Sequence, residues 1–341
     1  MAVAAMRCND GVDPDKVDIG AVIVNRDAAA LLRDCLASLR SALDATGLAW
    51  ELVVVDNDSS DDSRDVVRSE FPEAVLVEND RNAGFPAAVN DGLARTTGEW
   101  IVLLNNDATI ERDALKHVFD RPIPDDVGAF AMQMRFAARP DLVNSAGIGL
   151  DTLFVGYERL LGTPAAGEAS RPAEVFGASG GAAVLRRAML DDVGGLDGRI
   201  FLYLDDIDLA WRARMGGWRA LYVPEAVVWH HHSATTGHAS AFKYFHVGRN
   251  RVRLLARNAD RRLLLRRAPL ILAHELGYVA FVALADRTLA PLRGRVAGLR
   301  EWRSLRAEGA ALRRPIELAP RTGFRAALRR RRAYRTGGQG G

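Results

Sequence analysis

The sequence predicts an α/β fold in which a mixed, mainly parallel sheet is flanked by helices. Short apolar runs that fit strands buried on both faces recur along the chain, and residues at helical spacing separate them. Strands that alternate with helices of this length are typical of a parallel sheet. The 341 residues, 48% hydrophobic and 26% charged, suffice for one large domain with an appendage or for two domains.

The first hundred residues predict four strands with helices between them. Each strand is an apolar run, and each is followed by polar or small residues that can turn the chain or cap a helix. The predicted elements, in order, are a strand over 18–25, a helix over 31–39, a strand over 51–55, a helix ending near 70, a strand over 75–77, a helix opening over 82–90 and a strand over 100–104.

The pattern weakens over residues 125–174, where Gly, Pro and Ala are frequent, and only loops with a strand or two are expected there. Glycines then precede a strand through 183–185, and a helix ends within 189–197. The next helix begins at Asp205 or Asp206, with an inward stripe made of Ile207, Ala210, Trp211 and Met215. Two further strands are expected over 219–223 and 226–229.

The turn after the first strand reads NRDAAA. It lacks the Gly-x-Gly-x-x-Gly of dinucleotide sites, and no GxxxxGK[ST] loop occurs in the chain. Glycine amides therefore do not cradle a phosphate here. The strand ends carry the carboxylates of Asp56, Asp58 and Asp107 instead. Carboxylates can meet a diphosphate through a divalent cation, for which oxygen ligands suit Mg²⁺ or Mn²⁺.

Asp107 has two interpretations of equal weight when the stretch WIVLLNNDAT is taken alone. Ligands of open α/β sheets bind at the carboxyl ends of strands, which is where Asp107 stands. Asp is also a favoured helix cap, and a helix could begin at Ala108.

Two further clusters are chemically suggestive. Asp205, Asp206 and Asp208 stand at a helix start, where capping is the alternative to a functional role. His230, His231 and His232 follow a strand, where they could place one imidazole at a metal or a phosphate. A solvated loop is the alternative for the three histidines.

The ordered motifs DNDSSDDS, NAGFPAAVN, LLNNDA, GASGGAAVLRR, LDDIDL and VPEAVVWHHHS closely resemble the inverting GT-A glycosyltransferases of family 2. The similarity is greatest to the rhamnosyltransferase-like branch, which works on lipid-linked or cell-envelope glycans. It covers residues 19–233 and implies a GT-A, Rossmann-like fold.

The resemblance also implies roles for individual residues. It assigns the metal to Asp107 and His230, with the histidine register uncertain by one, and the catalytic base to Asp206. The nucleotide and donor residues are Asn25, Asp56, Asp58, Asn82, Gly84, Asn105 and Asn106. The acceptor or supporting residues are Asp205, Asp208, Gly180 and Arg212.

The chemistry implied is transfer of a sugar, rhamnose or another hexose, from a dTDP- or UDP-sugar to an acceptor hydroxyl. General-base assistance of this kind contributes ~10²–10⁴-fold. A helix N-terminus is expected to keep Asp206 ionised near neutral pH. With these motifs around it, Asp107 is better interpreted as a metal ligand than as a cap. Asn105 and Asn106 leave this motif with one carboxylate.

Charge divides the chain into an acidic body and a basic tail. Residues 1–240 carry 22 Lys and Arg against 37 Asp and Glu, whereas residues 241–341 carry 24 against 6. The tail is basic and amphipathic, typical of helices in a bilayer interface. Its longest apolar run, 268–285, is interrupted by His274 and Glu275 and falls short of the ~20 residues needed to span. A basic helical pair packed on the catalytic domain is the alternative.

The expected organisation is a disordered lead-in (1–17), a catalytic domain (18–240), a basic amphipathic membrane-associating region (241–325) and a disordered tail (326–341). Within the catalytic domain, 18–110 form the nucleotide-binding half and 111–240 the acceptor half. The lead-in is not a signal peptide, and two cysteines favour a reducing compartment. A cytoplasmic enzyme, peripheral on the inner face of the membrane, is expected.

Two alternatives remain from other function classes. One is a nucleic-acid-binding protein that uses the basic tail, although the tail lacks interleaved aromatic residues and the acidic body would repel nucleic acid. No nucleic acid is therefore expected as a partner. The other alternative is a nucleotidyltransferase on the same fold.

Overall fold

The computed structural model describes residues 17–231, 240–309 and 316–320. The expectations for most of the lead-in, for residues 326–341 and for His232 lie outside these ranges. The elements up to residue 110 are β1 (Ile19–Asn25), α1 (Ala29–Thr46), β2 (Trp50–Asp56), α2 (Ser63–Glu70), β3 (Val75–Glu78), α3 (Phe85–Leu93), β4 (Trp100–Leu104) and β5 (Ala108–Ile110).

The remaining elements include more strand than the sequence predicts. They are α4 (Ala114–Phe119), β6 (Val127–Phe136), β7 (Arg139–Ser145), β8 (Ile148–Leu150), β9 (Gly156–Glu158), a 3₁₀ turn (Gly167–Ser170), β10 (Ala173–Val175), β11 (Ala182–Arg186), α5 (Arg187–Val193), α6 (Asp205–Gly216) and β12 (Arg219–His230). Four helices follow: α7 (Ala241–Asn258), α8 (Arg261–Ala285), α9 (Ala290–Arg300) and α10 (Trp302–Glu308).

The predicted fold class is confirmed. Within the described residues a ten-stranded sheet has the order β10-β12-β6-β11-β4-β1-β2-β3, with β5 and β7 paired to β12 and β6. The run β4-β1-β2-β3 is parallel, and β11 enters antiparallel between β4 and β6. The carboxyl ends of β1, β2 and β4 therefore lie together at one edge of the sheet.

Two apolar layers hold helices on both faces of this sheet. Alternate residues of a strand point to opposite faces, so Leu52 and Val54 of β2 join the layer under α1, whereas Val53 and Val55 join the other layer, which includes residues of α3 and α6. This alternation is why β2 reads as a continuous apolar run.

Two local expectations are wrong. Residues 125–174 hold β6 to β10 where loops with a strand or two were expected. The strands β8, β9 and β10 have three residues each, and register shifts interrupt the pairing of β6 with β7. Residues 219–223 and 226–229 belong to a single strand, β12, which a bulge between Val223 and Val227 interrupts in its pairing with β6.

Among the C-terminal helices, α7 and α9 pack tightly against each other, whereas α8 is largely exposed. Close contacts join α7 to α9: a Cβ on Gly294 would lie 2.1 Å from the Phe245 carbonyl oxygen, and one on Gly298 would lie 2.6 Å from that of Arg249. Only Ile271 and Val282 of α8 are buried. Although His274 and Glu275 interrupt its apolar run, α8 is the one described helix long and apolar enough to cross a membrane, by length and composition only.

Candidate active site

The predicted donor residues converge at the carboxyl edge of the parallel strands. Asn25 ends β1 and Asp56 ends β2, and the two are register partners. The Asn106 amide donates to Asn25 Oδ1 at 2.7 Å, and the Asn25 amide donates to Ser59 Oγ at 3.3 Å. The Ser59 backbone N–H donates to Asp56 Oδ1 at 3.1 Å. A chain of hydrogen bonds thus connects the loops that follow β4, β1 and β2.

The Asp56 carboxylate is buried, yet only one of its two oxygens accepts hydrogen bonds from the described residues. Its Oδ1 accepts a hydrogen bond from Arg64 Nε at 2.6 Å. Its Oδ2 is buried without a hydrogen-bond partner among the described residues. Leaving a buried carboxylate oxygen unpaired is costly, so such an atom indicates a donor that a ligand would supply. Asp58, also predicted here, is exposed with a left-handed backbone (φ 69°).

An asparagine missed by the sequence reasoning organises the neighbouring loop. Asn57 is 3% exposed; its amide donates to Asn82 Oδ1 at 2.9 Å, and its Oδ1 accepts from the Ala83 backbone at 3.0 Å. Asn82 Oδ1 also accepts from the Gly84 backbone at 3.0 Å. The Asn82 carbonyl is therefore used to shape the loop. The signal for Asn57 was present, because it lies inside DNDSSDDS.

Gly84 is required by a close approach between the two halves of the domain. Its φ is +86°, and a Cβ there would lie 2.5 Å from the Phe201 carbonyl oxygen. The same oxygen accepts from the Phe85 N–H at 2.9 Å. Gly84 thus connects the predicted nucleotide loop to the segment that precedes α6.

Asp107 and His230 lie side by side. His230 Nε2 is 3.1 Å from Asp107 Oδ1, and His230 Nδ1 is 3.2 Å from Asn144 Oδ1. A proton on Nδ1, donated to Asn144, would leave the Nε2 lone pair for a cation held between this nitrogen and Asp107, whereas a proton on Nε2 would be donated to the carboxylate. His231 is exposed, and only its backbone N–H reaches Asp107, at the carbonyl oxygen. The geometry thus places His230 at this carboxylate.

The interpretation of Asp107 as a helix cap is wrong. Ala108–Ile110 is the strand β5, paired antiparallel to β12 through His230 and Ala108. This pairing is what brings His230 to Asp107, because the two residues flank adjacent ends of paired strands. Asn144, which orients the histidine, lies in the region where the sequence offered no signal.

The donor set at Asp107 and His230 fits a divalent cation as a partial site. The described residues contain no group of three or more His, Cys, Asp or Glu side chains that could hold a metal. Two ligands at adjacent positions of an octahedral ion, each ~2.1 Å from it, lie ~3 Å apart, which agrees with the 3.1 Å between Asp107 and His230. Asn105 and Asn106 add no carboxylate.

The carboxylate of Asp206 joins this edge through the glycine segment before β11. Asp206 Oδ2 accepts from the Gly180 N–H at 3.3 Å, and its Oδ1 accepts from the Ile207 N–H at 2.7 Å. The next glycine, Gly181, accepts at its carbonyl from the Asn105 N–H at 3.0 Å. Hydrogen bonds therefore run from Asp206, through Gly180 and Gly181, to the Asn105–Asp107 loop.

Burial changes the proton affinity of the aspartates at the start of α6. Burial raises the pKa of Asp206, and this effect outweighs the N–H groups of Gly180 and Ile207, which lower it. The N–H groups at the start of α6 favour the ionised form, as expected, but burial opposes them, and the net pKa lies above that of an ordinary aspartate. That Asp206 is ionised near neutral pH stays a prediction. Burial, and then the charge of Asp206, raises the pKa of Asp205 to about 8. Both aspartates line a mostly apolar cleft between α6 and the sheet.

The turn directly before these aspartates is strained, and a side chain of α7 holds it in place. Tyr203 and Leu204 have left-handed backbones (φ 70° and 67°), an unfavourable conformation for side chains of this size. The fully buried Asn250 donates to the carbonyl oxygens of Leu202 and Tyr203 at 2.8 and 2.9 Å. Asn250 was missed, and no sequence motif marks it.

Asp208 and Arg212 form a saturated internal network. Arg212 Nε donates to Asp208 Oδ2 at 2.8 Å, and Asn258 donates to Asp208 Oδ1 at 2.8 Å. Arg212 also donates to the carbonyl oxygens of Val193, Gly194 and Gly195 at 2.7 to 2.9 Å. These two residues hold α6 to the preceding loop and to α7. Both carboxylate oxygens of Asp208 accept hydrogen bonds within this network.

Comparison with known proteins gives consistent matches. The sequence model described as glycosyl transferase family 2 matches residues 20–194. An N-acetylglucosaminyl-diphospho-decaprenol L-rhamnosyltransferase of Mycobacterium tuberculosis is 27% identical over 218 residues, which cover 57% of this chain and 70% of that protein.

Two solved structures share the fold. A mannosyltransferase from Pyrobaculum calidifontis, in complex with GDP-Man and Mn²⁺, superposes with a TM-score of 0.54 at 20% identity and covers 94% of this chain and 86% of its own. GalNAc-T7, with UDP, GalNAc and Mn²⁺, gives 0.54 at 13% identity over 72% and 48% of the two chains. The family resemblance and the enzyme class expected from the motifs are confirmed.

Proposed function

Because the chain belongs to glycosyl transferase family 2, we propose that it is an inverting enzyme with a nucleoside diphosphate sugar as donor and a lipid-linked or cell-envelope glycan as acceptor. The observation that carries the proposal is the hydrogen-bonded series of loops that connects Asp56, Asp107 and Asp206 at one sheet edge. The rhamnosyltransferase relative supports rhamnose, or another hexose, as the transferred sugar.

The donor nucleotide is assigned to the Asp56 end of this series. Asp56 Oδ2 is a buried hydrogen-bond acceptor without a donor among the described residues. The imide N–H of uracil or thymine supplies one donor of this kind, which favours a UDP- or dTDP-sugar. Asn25, Asn57 and Asn82 hold the loops around that base in place through their mutual hydrogen bonds.

A divalent cation, Mg²⁺ or Mn²⁺, is assigned to Asp107 and His230. Its chemistry would be to offset the negative charge that develops on the departing diphosphate. Since the loop supplies one carboxylate, the diphosphate oxygens are needed to complete the coordination. Cation and donor should therefore bind together, each strengthening the binding of the other.

Asp206 is assigned as the general base. Its carboxylate takes the proton of the acceptor hydroxyl, the hydroxyl oxygen forms a bond to the anomeric carbon, and the bond from that carbon to the diphosphate oxygen breaks. The leaving electron pair stays on the diphosphate, and attack from the opposite face inverts the configuration. Because burial raises its pKa, the ionised Asp206 carboxylate is a stronger base than an ordinary aspartate.

The same proposal gives the organisation and location of the enzyme. Residues 18–240 carry the nucleotide and acceptor halves, and residues 241–325 bring the enzyme to the anionic inner face of the membrane, where lipid-linked acceptors reside. Arg251, Arg253 and Arg295 of the basic region are buried, so part of its charge stabilises the fold. That placement disfavours the nucleic-acid-binding alternative.

A thermal-shift panel of UDP-, dTDP- and GDP-sugars, each with and without Mn²⁺, tests the proposal. We expect a UDP- or dTDP-sugar with Mn²⁺ to raise the melting temperature more than the two separate effects combined, because each ligand strengthens the binding of the other. A saturating ligand alone stabilises by ~2.7 kcal/mol at 100 times its Kd. Asp107→Asn should lose the Mn²⁺-dependent part. Asp113→Asn, which changes an exposed carboxylate, is the matched control.

Product analysis then separates the enzyme classes. Release of a nucleoside diphosphate from the sugar donor supports the glycosyltransferase. Release of pyrophosphate from a nucleoside triphosphate, with no binding of nucleoside diphosphate sugars, would establish the nucleotidyltransferase alternative instead.

A further inference from the structure

The outward side of α8 is an uninterrupted apolar surface. Every residue of α8 from Pro269 onward that is exposed is apolar or glycine. The large apolar side chains, each at least half exposed, are Leu265, Leu270, Leu272, Leu276, Phe281 and Leu284. A soluble protein rarely leaves so many large apolar side chains together in water, and such a surface marks an interaction site.

The neighbouring helix extends this surface. Arg295 of α9 pairs with Glu275 of α8 and also lies over the Tyr278 ring, 5.2 Å from its centroid, so the two helices are joined at their middles. Four more exposed apolar side chains belong to α9 and the residue before it: Leu289, Leu292, Val296 and Leu299. These residues and those of α8 are called the outer apolar surface below.

Exposed charge around the outer apolar surface is mainly positive, and the exposed carboxylate of Asp260, the N-cap of α8, lies next to it. Within residues 261–303 no Asp or Glu is exposed. The exposed charged residues of this segment are Arg261, Arg262, Arg266, Arg287, Arg293, Arg300 and Arg303. An apolar helix face flanked by arginines is complementary to an anionic leaflet, whose acyl chains accept the leucines and whose headgroups accept the guanidinium groups.

The inner side of α8 is fixed to the body of the protein. Glu275 accepts from Arg251 of α7 and from Arg295 Nε, the latter at 2.6 Å. Arg267 donates to the Thr152 carbonyl at 2.6 Å, and Ile271 is buried among residues of the catalytic body. Crossing a bilayer would require α8 to break these contacts and to carry Glu275 into hydrocarbon, which is costly.

We propose that the outer apolar surface docks on an anionic lipid bilayer, with α8 lying in the plane of the leaflet and without crossing it. The inference relies on the proposed function for its purpose, which is to bring the catalytic edge to a lipid-linked acceptor. Its physical basis, the exposed leucines and the arginines around them, is independent of that function.

Co-sedimentation of the full-length protein with vesicles tests the proposal. Wild type should pellet with vesicles of phosphatidylglycerol and phosphatidylcholine far more than with phosphatidylcholine alone. Leu272→Glu/Leu276→Glu should reduce binding at least tenfold, and Arg261→Glu/Arg262→Glu should reduce it roughly fivefold or more for each arginine. Leu48→Glu, at an exposed leucine outside α8 and α9, is the matched control and should bind normally.

Three outcomes would overturn the proposal. Equal binding of the double leucine variant and the control excludes this surface. Retention in the vesicles after an alkaline carbonate wash indicates a spanning helix. A lipid-free dimer that the double leucine variant dissociates, together with absent vesicle binding, assigns the surface to a second copy of the chain. A donor-induced thermal shift in the double leucine variant equal to that of wild type shows that it is folded, and it keeps a failure of docking distinct from a failure of the proposed function.

Discussion

The protein buries an aspartate carboxylate at two places, the carboxyl edge of the sheet and the contact between α6 and α7, and the two carboxylates differ in their hydrogen bonding. Asp56 and Asp208 are both 1% exposed. Asp56 keeps one oxygen without a partner among the described residues, whereas Asp208 accepts from Arg212, Arg257 and Asn258. Asp56 can still accept a hydrogen bond from a ligand, whereas Asp208 holds α6 and α7 together. Burial does not separate these two carboxylates, but the number of their oxygens that accept hydrogen bonds does.

The largest effect is expected at Asp206, the proposed general base. Asp206→Asn should lower kcat/KM by about 10²–10⁴-fold, because the amide cannot take the acceptor proton, while the donor-induced thermal shift stays near the wild-type value. Steady-state kinetics with Asp113→Asn as the control measures it. Turnover within threefold of wild type would remove Asp206 from the mechanism.

A change in the Asp208–Arg212 network should lower the free energy of unfolding. Arg212→Met leaves Asp208 with a buried, less compensated charge and three loop carbonyls without their donor. We expect a loss of about 3–5 kcal/mol in the free energy of unfolding, measured by urea denaturation. Arg139→Met, which breaks an exposed pair with Asp141, should leave that free energy unchanged. Equal effects of the two variants would contradict the structural assignment.

A change at Asp56 should weaken binding of the nucleotide sugar. Asp56→Ala removes the oxygen that awaits a donor, and we expect about 10-fold weaker binding of the nucleotide sugar, in line with the cost of one unmade buried hydrogen bond. Isothermal titration gives the Kd. Asp65→Ala, at a side chain that is 81% exposed, provides the comparison. An unchanged Kd in Asp56→Ala would mean that the base binds elsewhere.

Asn250 tests whether the C-terminal helices act on the active site. Asn250→Ala removes the donor that holds the Leu202 and Tyr203 carbonyls, so the turn before Asp206 should relax and kcat should fall about 10-fold, by analogy with a lost buried hydrogen bond. The donor KM should not change. Asn250→Asp, which lacks the N–H donor, should not restore kcat. Loss of donor affinity in parallel with kcat would indicate general unfolding instead.

The smallest effect concerns pH. The pKa of Asp205 is raised from 3.8 to about 8 in the folded protein, so its contribution to stability is fully present below about pH 4 and is lost as the pH rises through 8. Asp205→Asn should therefore melt about 2 °C or more above wild type at pH 9, with a smaller difference at pH 4. Calorimetry at both values measures this, and a difference independent of pH would be the contrary result.

The elements of residues 18–104 could be predicted well from the sequence because their signals are local. Trp100–Leu104 is a strand with the predicted ends, since a central parallel strand reads as one apolar run with polar boundaries. Asp56, Asp107 and Asp206 could be found because each lies directly at the end of such an element. Their convergence followed from the parallel order of the strands.

The rest depended on contacts between distant residues. Asn250 meets the turn at Leu202 and Tyr203 across 48 and 47 positions, and no periodicity reports such a pairing. In the basic tail the helical spacing predicted amphipathic helices but could not tell which side faces the protein. Arg251 and Arg295 face inward to Glu275, whereas the leucines of α8 face outward, the reverse of the usual arrangement for a soluble helix.

The close glycine contacts between α7 and α9 bear on where this enzyme can be divided. A methyl group at Gly294 or Gly298 would force the helices apart and displace α7, the helix that carries Asn250 and Asn258. Both asparagines lie beyond residues 20–194, which the family match covers. A fragment ending at residue 231 would keep every predicted ligand-binding side chain yet lose the supports of the catalytic turn and of Asp208. We therefore expect the smallest fragment with activity to extend through α9.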